Sequence, residues 1–317
     1  MSNSTLKYIG KRLVISLITL FVILMILFLM VKFLPGSPIN NEKLSASARA
    51  AIEAQYGLDQ PIPVQFVRYI QNMLTGDFGV SFNLYKDMQV SSLVGSAAKL
   101  SMIYGLCAVI IGTVIGMFLG VFAALHKNTI WDTIATVISV IGVSIRSFLQ
   151  SWTYRGYLLL FASKLRLLPT SYSSSNAIKS SIMPILALSV GVIANVARFT
   201  RTEMVSVLTS EYMTLAKAKG LDRKTLIFKH ALRNALIPVI TILGPILVNL
   251  MTGTMVVEKI CSVPGLGKLL INSILSNDYN IILSCSFLYA AMYIFMMLII
   301  DISYGIIDPR IRLGKDD

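Results

Sequence analysis

The stretch from Leu13 to Leu34 is almost unbroken hydrocarbon, and it rules out most of what a chain can fold into. A helix rises about 1.5 Å per residue, so such a run matches the roughly 30 Å apolar core of a bilayer. Further apolar segments recur at about 99 to 125, 130 to 162, 181 to 199, 235 to 257 and 281 to 306, giving six expected spans. In lipid every backbone N–H and C=O must find its partner within the protein, and a helix achieves this segment by segment. The expected fold class is therefore all-α integral membrane with six transmembrane helices. Composition agrees, since 55% of residues are hydrophobic and only 14% are charged, too apolar for an ordinary soluble domain. A signal peptide shares the basic start at Lys7, Lys11 and Arg12, but its apolar region is about 7 to 15 residues and ends at a small-residue cleavage site. This run is longer and ends in Leu34-Pro35-Gly36-Ser37-Pro38, so a retained first span is expected.

Orientation follows from where Lys and Arg fall in the connections, because cytoplasmic loops carry the excess. One side holds Lys7, Lys11, Arg12, Lys127, the segment 198 to 234, Arg310, Arg312 and Lys315. That segment contains Arg198, Arg201, Lys217, Lys219, Arg223, Lys224, Lys229 and Arg233. The opposite connections hold Lys164, Arg166, Lys179, Lys259 and Lys268. Both termini are expected in the cytoplasm of a bacterial cell, with the chain multi-pass in the cytoplasmic membrane. The formal charge of +13 is thus spent on orientation, and no nucleic-acid partner is expected from basic residues scattered between apolar runs.

The expected organisation is a cytoplasmic N-terminus and first span at 1–34, an extracytoplasmic loop at 35–95, a five-helix core at 96–309 and a cytoplasmic tail at 310–317. Within the outer loop a helical stretch is expected near Ser47 to Tyr56, a break at Gly57-Leu58-Asp59-Gln60-Pro61, and an amphipathic stretch from Val64 to Leu74. Cys107, Cys261 and Cys285 are isolated, and neither His126 nor His230 has a second ligand at metal spacing. No metal, cofactor or catalytic residue is expected. No G-x-x-x-x-G-K-[ST] occurs, and Gly265-Leu266-Gly267-Lys268 lacks that spacing, so no ATP site is expected either.

The loop at 199–234 is long for a passive connector. Ser210 can cap a short helix, Glu211 suits its positive end, the lysines suit its negative end, and Gly220 supplies a left-handed stop. Asp222 can then cap a second helix running to about Asn234. Ala216, Ala218 and Gly220 leave room for another surface to approach closely. A basic helix lying on anionic lipid has the same residues, so membrane lipid is the other partner this pattern admits.

Here the chain resembles a known family. The run Tyr212-x-x-x-Ala216-x-Ala218-Lys219-Gly220, followed by His230-Ala231-Leu232-Arg233-Asn234-Ala235-Leu236-Ile237-Pro238, is similar to the cytoplasmic loop of membrane subunits of binding-protein-dependent ABC importers, in their peptide and nickel branch. Arg233 departs from the proline that many members place there. The resemblance extends to Leu34-Pro35-Gly36-Ser37-Pro38, to Gly57-Leu58-Asp59-Gln60-Pro61 with Gln65, to Gly76-Asp77-Phe78-Gly79, to Val263-Pro264-Gly265-Leu266-Gly267 and to Asp308-Pro309-Arg310-Ile311-Arg312. Any one of these is a common turn sequence. Five in order are specific.

The resemblance implies a type I permease of an ABC importer, first of two permease types, carrying oligopeptides or dipeptides, with nickel or another small solute as the alternative cargo. It implies as partners a second homologous permease, two ABC ATPase subunits and an extracytoplasmic substrate-binding protein. Glu211, Tyr212, Ala216, Ala218, Lys219, Gly220 and Leu221 would then form the surface gripped by the ATPase, and the chain itself would not be an enzyme. Two rival classes have weaker support. An ion-coupled secondary transporter calls for intramembrane acids or unwound half-helices in paired repeats, and a membrane-embedded enzyme calls for paired acids or Ser/Lys and His clusters in the spans.

Arg146 and Arg155 fall inside the expected third span, where a charge costs at least about 2.5 to 3.5 kcal/mol. Two readings stay open: one of them lines the translocation path and meets a peptide carboxylate, or the span is broken and both snorkel to an interface. Lys32 is expected to snorkel outward and Asp301 to sit at the inner interface. Pro238, Gly244 and Pro245 mark a bend or hinge in the fifth span. Gly112-x-x-x-Gly116-x-x-x-Gly120 allows close helix packing, against this chain or against a second permease.

Overall fold

A computed structural model describes residues 3–33, 60–130, 132–134, 137, 169 and 171–307. Apart from residues 130, 132–134 and 137 the expected third span, with Arg146 and Arg155, lies outside the described residues, as does the expected helix near Ser47 to Tyr56. Eight longer helices are described: α1 (Asn3–Lys32), α2 (Ile62–Thr75), α3 (Val90–Leu125), α4 (Ala177–Leu208), α5 (Glu211–Ala218), α6 (Leu232–Ile260), α7 (Leu266–Leu275) and α8 (Tyr279–Ile307). Helices α1, α3, α4 and α8 each contain an apolar stretch long enough to cross a bilayer, and the pair Arg223–Leu236 and Pro238–Val248, bent by 45°, passes the same test only when taken together. Four of the expected spans therefore have a helix of sufficient length and apolarity, and a fifth is met if the bent pair is one span.

The helices fall into two units, Met1–Ser101 with Pro264–Asp317, and Met102–Val263. In the first, α1 buries Leu24, Phe28 and Val31 at i, i+4 and i+7 while Leu17, Ile18, Phe21, Met25 and Met30 stay exposed. Apolar side chains on both sides of one helix are what lipid on one face and protein on the other require. Helix α2 is amphipathic and ends where Gly76 takes the left-handed conformation, φ 75°. Its Tyr69 and Met73 pack in a cluster with Leu24 and Phe28, and the Phe28 and Tyr69 rings stack with centroids 5.6 Å apart.

Helix α3 begins at Val90, earlier than the expected residue 99. Its 36 residues span about 54 Å at 1.5 Å per residue, more than a bilayer core is thick. The early turns are interrupted by Ser91, Ser92 and Ser96, so hydropathy alone conceals them. They are held instead by protein, as Val90, Val94, Ala97 and Ala98 share a core with Leu266, Leu269, Ile281 and Cys285. Asp278, fully buried ahead of α8, accepts hydrogen bonds at Oδ2 from the Ser81 hydroxyl at 2.5 Å and from the Asn83 and Leu84 amides at 3.0 and 3.1 Å. It thereby fixes the loop between α2 and α3 to the start of α8.

In the second unit the glycine spacing is used within the chain. A Cβ on Gly112 would lie 2.5 Å from the Val192 Cβ, one on Gly116 2.8 Å from the Ile193 carbonyl oxygen, and one on Gly120 2.6 Å from the Ala197 carbonyl oxygen. The α3 and α4 backbones therefore touch, and only glycine permits it. Just beyond α3, the Arg201 guanidinium on α4 donates to both oxygens of Asp132, Nε to Oδ1 at 2.5 Å and Nη2 to Oδ2 at 2.7 Å. The Asn128 amide also donates to Asp132 Oδ2, at 3.1 Å. Arg201, counted above with the loop cations, is a helix residue with an intramolecular partner. The fifth span bends by 45° between Leu236 and Pro238, where proline removes a backbone donor and crowds the preceding turn.

Two outcomes follow. Gly116→Ala should destabilise the protein by about 1–3 kcal/mol, the usual scale of overpacking, whereas Gly95→Ala, with nothing near its Cβ, should not; thermal unfolding in detergent reads the difference. Asp132→Asn should destabilise by about 1–3 kcal/mol, reduced from the figure for a fully buried pair because the Arg201 side chain is 30% exposed. The Asp132→Asn/Arg201→Gln double variant, which leaves no unpaired charge, should regain part of that loss.

Candidate coupling surface

The candidate site is built from the end of α4 to the start of α6, all within the second unit. Helix α4 runs on to Leu208, so the first part of the 199–234 segment is helical and continuous with the span before it. Ser210 takes the extended N-cap backbone of α5, φ −72° and ψ 154°, but its side chain caps nothing. Its hydroxyl donates back to the Val207 carbonyl at 2.6 Å, a local alternative open to serine after a helix end. Glu211 in the first turn and Lys217 in the last turn suit the helix dipole as expected.

Gly220 carries the left-handed stop at φ 76°, its amide donating to the Lys217 carbonyl at 3.0 Å. Asp222 then caps the next turn, Oδ2 accepting from the Thr225 amide at 3.3 Å. The Thr225 side chain first, and then its amide, hold the Asp222 carboxyl below the usual carboxylate range. The second helix does not end near Asn234. A single turn at Arg223–Thr225 passes into wide π-type turns over Leu226–Ala231 and then directly into α6. The reason is that no glycine or proline intervenes between Asp222 and Pro238 to stop the winding.

Glu211, Tyr212, Ala218, Lys219, Gly220 and Leu221 are all exposed, and Ala216 is half-buried. A Cβ on Gly220 would meet nothing within 4 Å, so the turn is open to a neighbour. The Tyr212 hydroxyl accepts from Asn234 Nδ2 at 3.0 Å, which ties α5 to the start of α6. Sequence reading missed Met213, which is 0% exposed and anchors α5 in a core with Met204, Leu226, Ala231 and Ala235. Its one signal was an apolar side chain about 100° round the helix from Tyr212. Leu215 and Phe228, 59% and 66% exposed, are further apolar residues on the same segment. The surface therefore offers small, apolar and basic groups around an open turn.

Comparison with known proteins bears directly on this segment. The family described as binding-protein-dependent transport system inner membrane component matches residues 116–313, and its N-terminal companion, binding-protein-dependent transport system membrane component, matches residues 5–87. The dipeptide transport system permease protein DppB of Lactococcus lactis is 40% identical over 97% of this chain and 99% of its own length. The oligopeptide transport system permease protein OppB of Escherichia coli K12 is likewise 40% identical, over 97% and 99%. DppB of Bacillus subtilis is 38% identical over 98% and 99%. Among solved structures, an amino acid ABC transporter crystallised with histidines shares the fold, with a TM-score of 0.50 and 16% identity over 69% of this chain and 94% of that one. With both family patterns matched in order and the helical fold in agreement, this chain belongs to the binding-protein-dependent transport system inner membrane component family, as a multi-pass membrane protein of ABC type I permease fold.

Proposed function

We propose that this chain is the pore-forming permease subunit of a bacterial importer that moves peptides inward at the expense of ATP hydrolysed by a separate subunit. The observation that carries the reading is the near-complete overlap, at 40% identity, with permeases whose names state dipeptide and oligopeptide transport. In this reading α5 and the Gly220 turn face the cytoplasm with both termini. Glu211, Tyr212, Ala216, Ala218, Lys219, Gly220 and Leu221 lie against the ATPase. A second, homologous permease completes the pore, two ATPase subunits serve the pair, and an extracytoplasmic binding protein delivers the peptide. The exposed turn at Gly220 supports this, because a helix with an open end and a buried anchor can be held from outside without unfolding. The chain is not an enzyme in this scheme. Nickel or another small solute remains the alternative cargo.

Uptake of labelled di- and oligopeptides into cells or proteoliposomes should depend on ATP and persist when proton and sodium gradients are collapsed. Uptake driven by a gradient without ATP would refute the reading. Gly220→Trp places a large side chain at the open turn and strains its backbone. The variant should insert normally yet retain co-purified ATPase about tenfold less well, equivalent to ~1.4 kcal/mol of docking energy. Normal ATPase retention would remove Gly220 from the contact. Arg146→Ala and Arg155→Ala at normal membrane levels test the translocation path, and a fall in peptide uptake in at least one of them is expected. Unchanged uptake in both would place the arginines off the path.

A further inference from the structure

In the first unit, a cleft of about 150 Å³ opens where the end of α1, α2, the Asp77–Phe82 turn and the start of α8 come together. Lys32 and Arg68 both line it, with Asn72, Asp77, Tyr279 and Asn280 beside them. We propose that this cleft holds the phosphate of an anionic membrane phospholipid, with Lys32 and Arg68 as its two cationic contacts.

Charge comes first. Neither Lys32 nor Arg68 has an acidic partner among the described residues, and Lys32 is partly buried. A partly desolvated ammonium without an anion is costly, and an anion in the cleft would offset that cost. The one acid in the lining, Asp77, is exposed and already accepts at Oδ1 from the Gly79 amide at 3.0 Å. Tyr279 and Asn280 form the first turn of α8, and the positive end of a long helix adds to the field. Asp278, which precedes that turn, directs its Oδ2 to Ser81, Asn83 and Leu84. The cleft therefore keeps an excess of positive charge.

The surroundings decide between a soluble anion and a lipid. Lys32 is the last residue of α1, at the membrane-leaving end of an apolar helix. Next to it Met30 and Phe33 are 59% and 76% exposed, and α2 presents Val67 and Leu74 at 55% and 79%. Cations at a helix end with exposed apolar side chains nearby match a headgroup phosphate with acyl chains below it. A small soluble anion has no use for that apolar rim. In the proposed orientation the lipid belongs to the outer leaflet. The proposal requires only that the chain resides in a membrane, and it stands or falls independently of peptide transport.

The test is native mass spectrometry of the full chain in its isolated membrane complex, after exchange into nanodiscs of phosphatidylglycerol and phosphatidylcholine. The wild type should retain phosphatidylglycerol over phosphatidylcholine, and Lys32→Gln/Arg68→Gln should lose that retention by about tenfold. Lys99→Gln, which removes a charge outside the cleft, should keep it. The conservative Lys32→Arg/Arg68→Lys should also keep it, which separates lost binding from lost folding. Equal retention in the Gln double variant, or no preference for phosphatidylglycerol in the wild type, would overturn the proposal. Competition distinguishes the sources: displacement of the lipid by millimolar inorganic phosphate would overturn the lipid assignment, and its persistence would support it.

Discussion

A bilayer offers no water to a peptide group and no hydrophobic penalty to an exposed leucine, and both facts shape this chain. The first forces continuous helices. The second removes the usual rule that apolar means inside, so what brings helices together must be shape and polarity. Gly112, Gly116 and Gly120 provide the shape. By presenting bare backbone to Val192, Ile193 and Ala197 they let α3 and α4 meet without side chains between them. The Asp132–Arg201 pair lies at the end of that contact and depends on it, since the guanidinium reaches the carboxylate only if Ala197 and Arg201 already lie beside Gly120.

Polarity works differently in the two units. In the first, the buried Asp278 carboxylate gathers the Ser81 hydroxyl and two backbone amides, which orders a loop whose Phe78 and Leu84 also pack on the core beneath it. Asn280 reinforces it, donating to the Val80 carbonyl at 2.8 Å. In the second, Tyr104 and Ser181 share a hydrogen bond of 2.5 Å between α3 and α4, toward the opposite end of the glycine contact from Asp132. These groups are met where they leave water, as the cost of an unpaired one demands, while Thr113 Oγ1, Thr200 Oγ1 and the second Asp278 oxygen, Oδ1, are buried without a hydrogen-bond partner among the described residues.

Sequence alone disclosed the apolar stretches of α1, α3, α4 and α8 because hydrocarbon length is nearly a direct readout of membrane thickness. It disclosed Gly220 and Asp222 because a left-handed stop and a carboxylate cap are local chemistry. It did not disclose the early start of α3, because Ser91, Ser92 and Ser96 lower the hydropathy of turns that protein holds, not lipid. It counted Arg201 among loop cations, since pairing with Asp132 across 69 positions leaves no trace in either segment by itself. Met213 was read through as one more residue of the motif, because burial of a short helix outside the membrane depends on which neighbours fold beneath it.

Those neighbours explain why α5 suits the task proposed for it. An eight-residue helix is too short to be stable alone, so its position is set by Met213 among Met204 of α4, Leu226 and Ala231 of the π-type turns, and Ala235 of α6. Close packing makes such a core resist compression. In the proposed role a force applied to α5 would therefore pass to the end of α4 and the first turns of α6, which share this core with it. The Tyr212–Asn234 hydrogen bond adds a second tie in the same direction. Helix α6 receives that force just before the bend between Leu236 and Pro238, where the missing backbone donor of proline lowers the resistance of a helix to bending. In the proposed role the segment is anchored where it would be held and bent one turn beyond, an order suited to turning a push on a surface helix into a change of angle in a span.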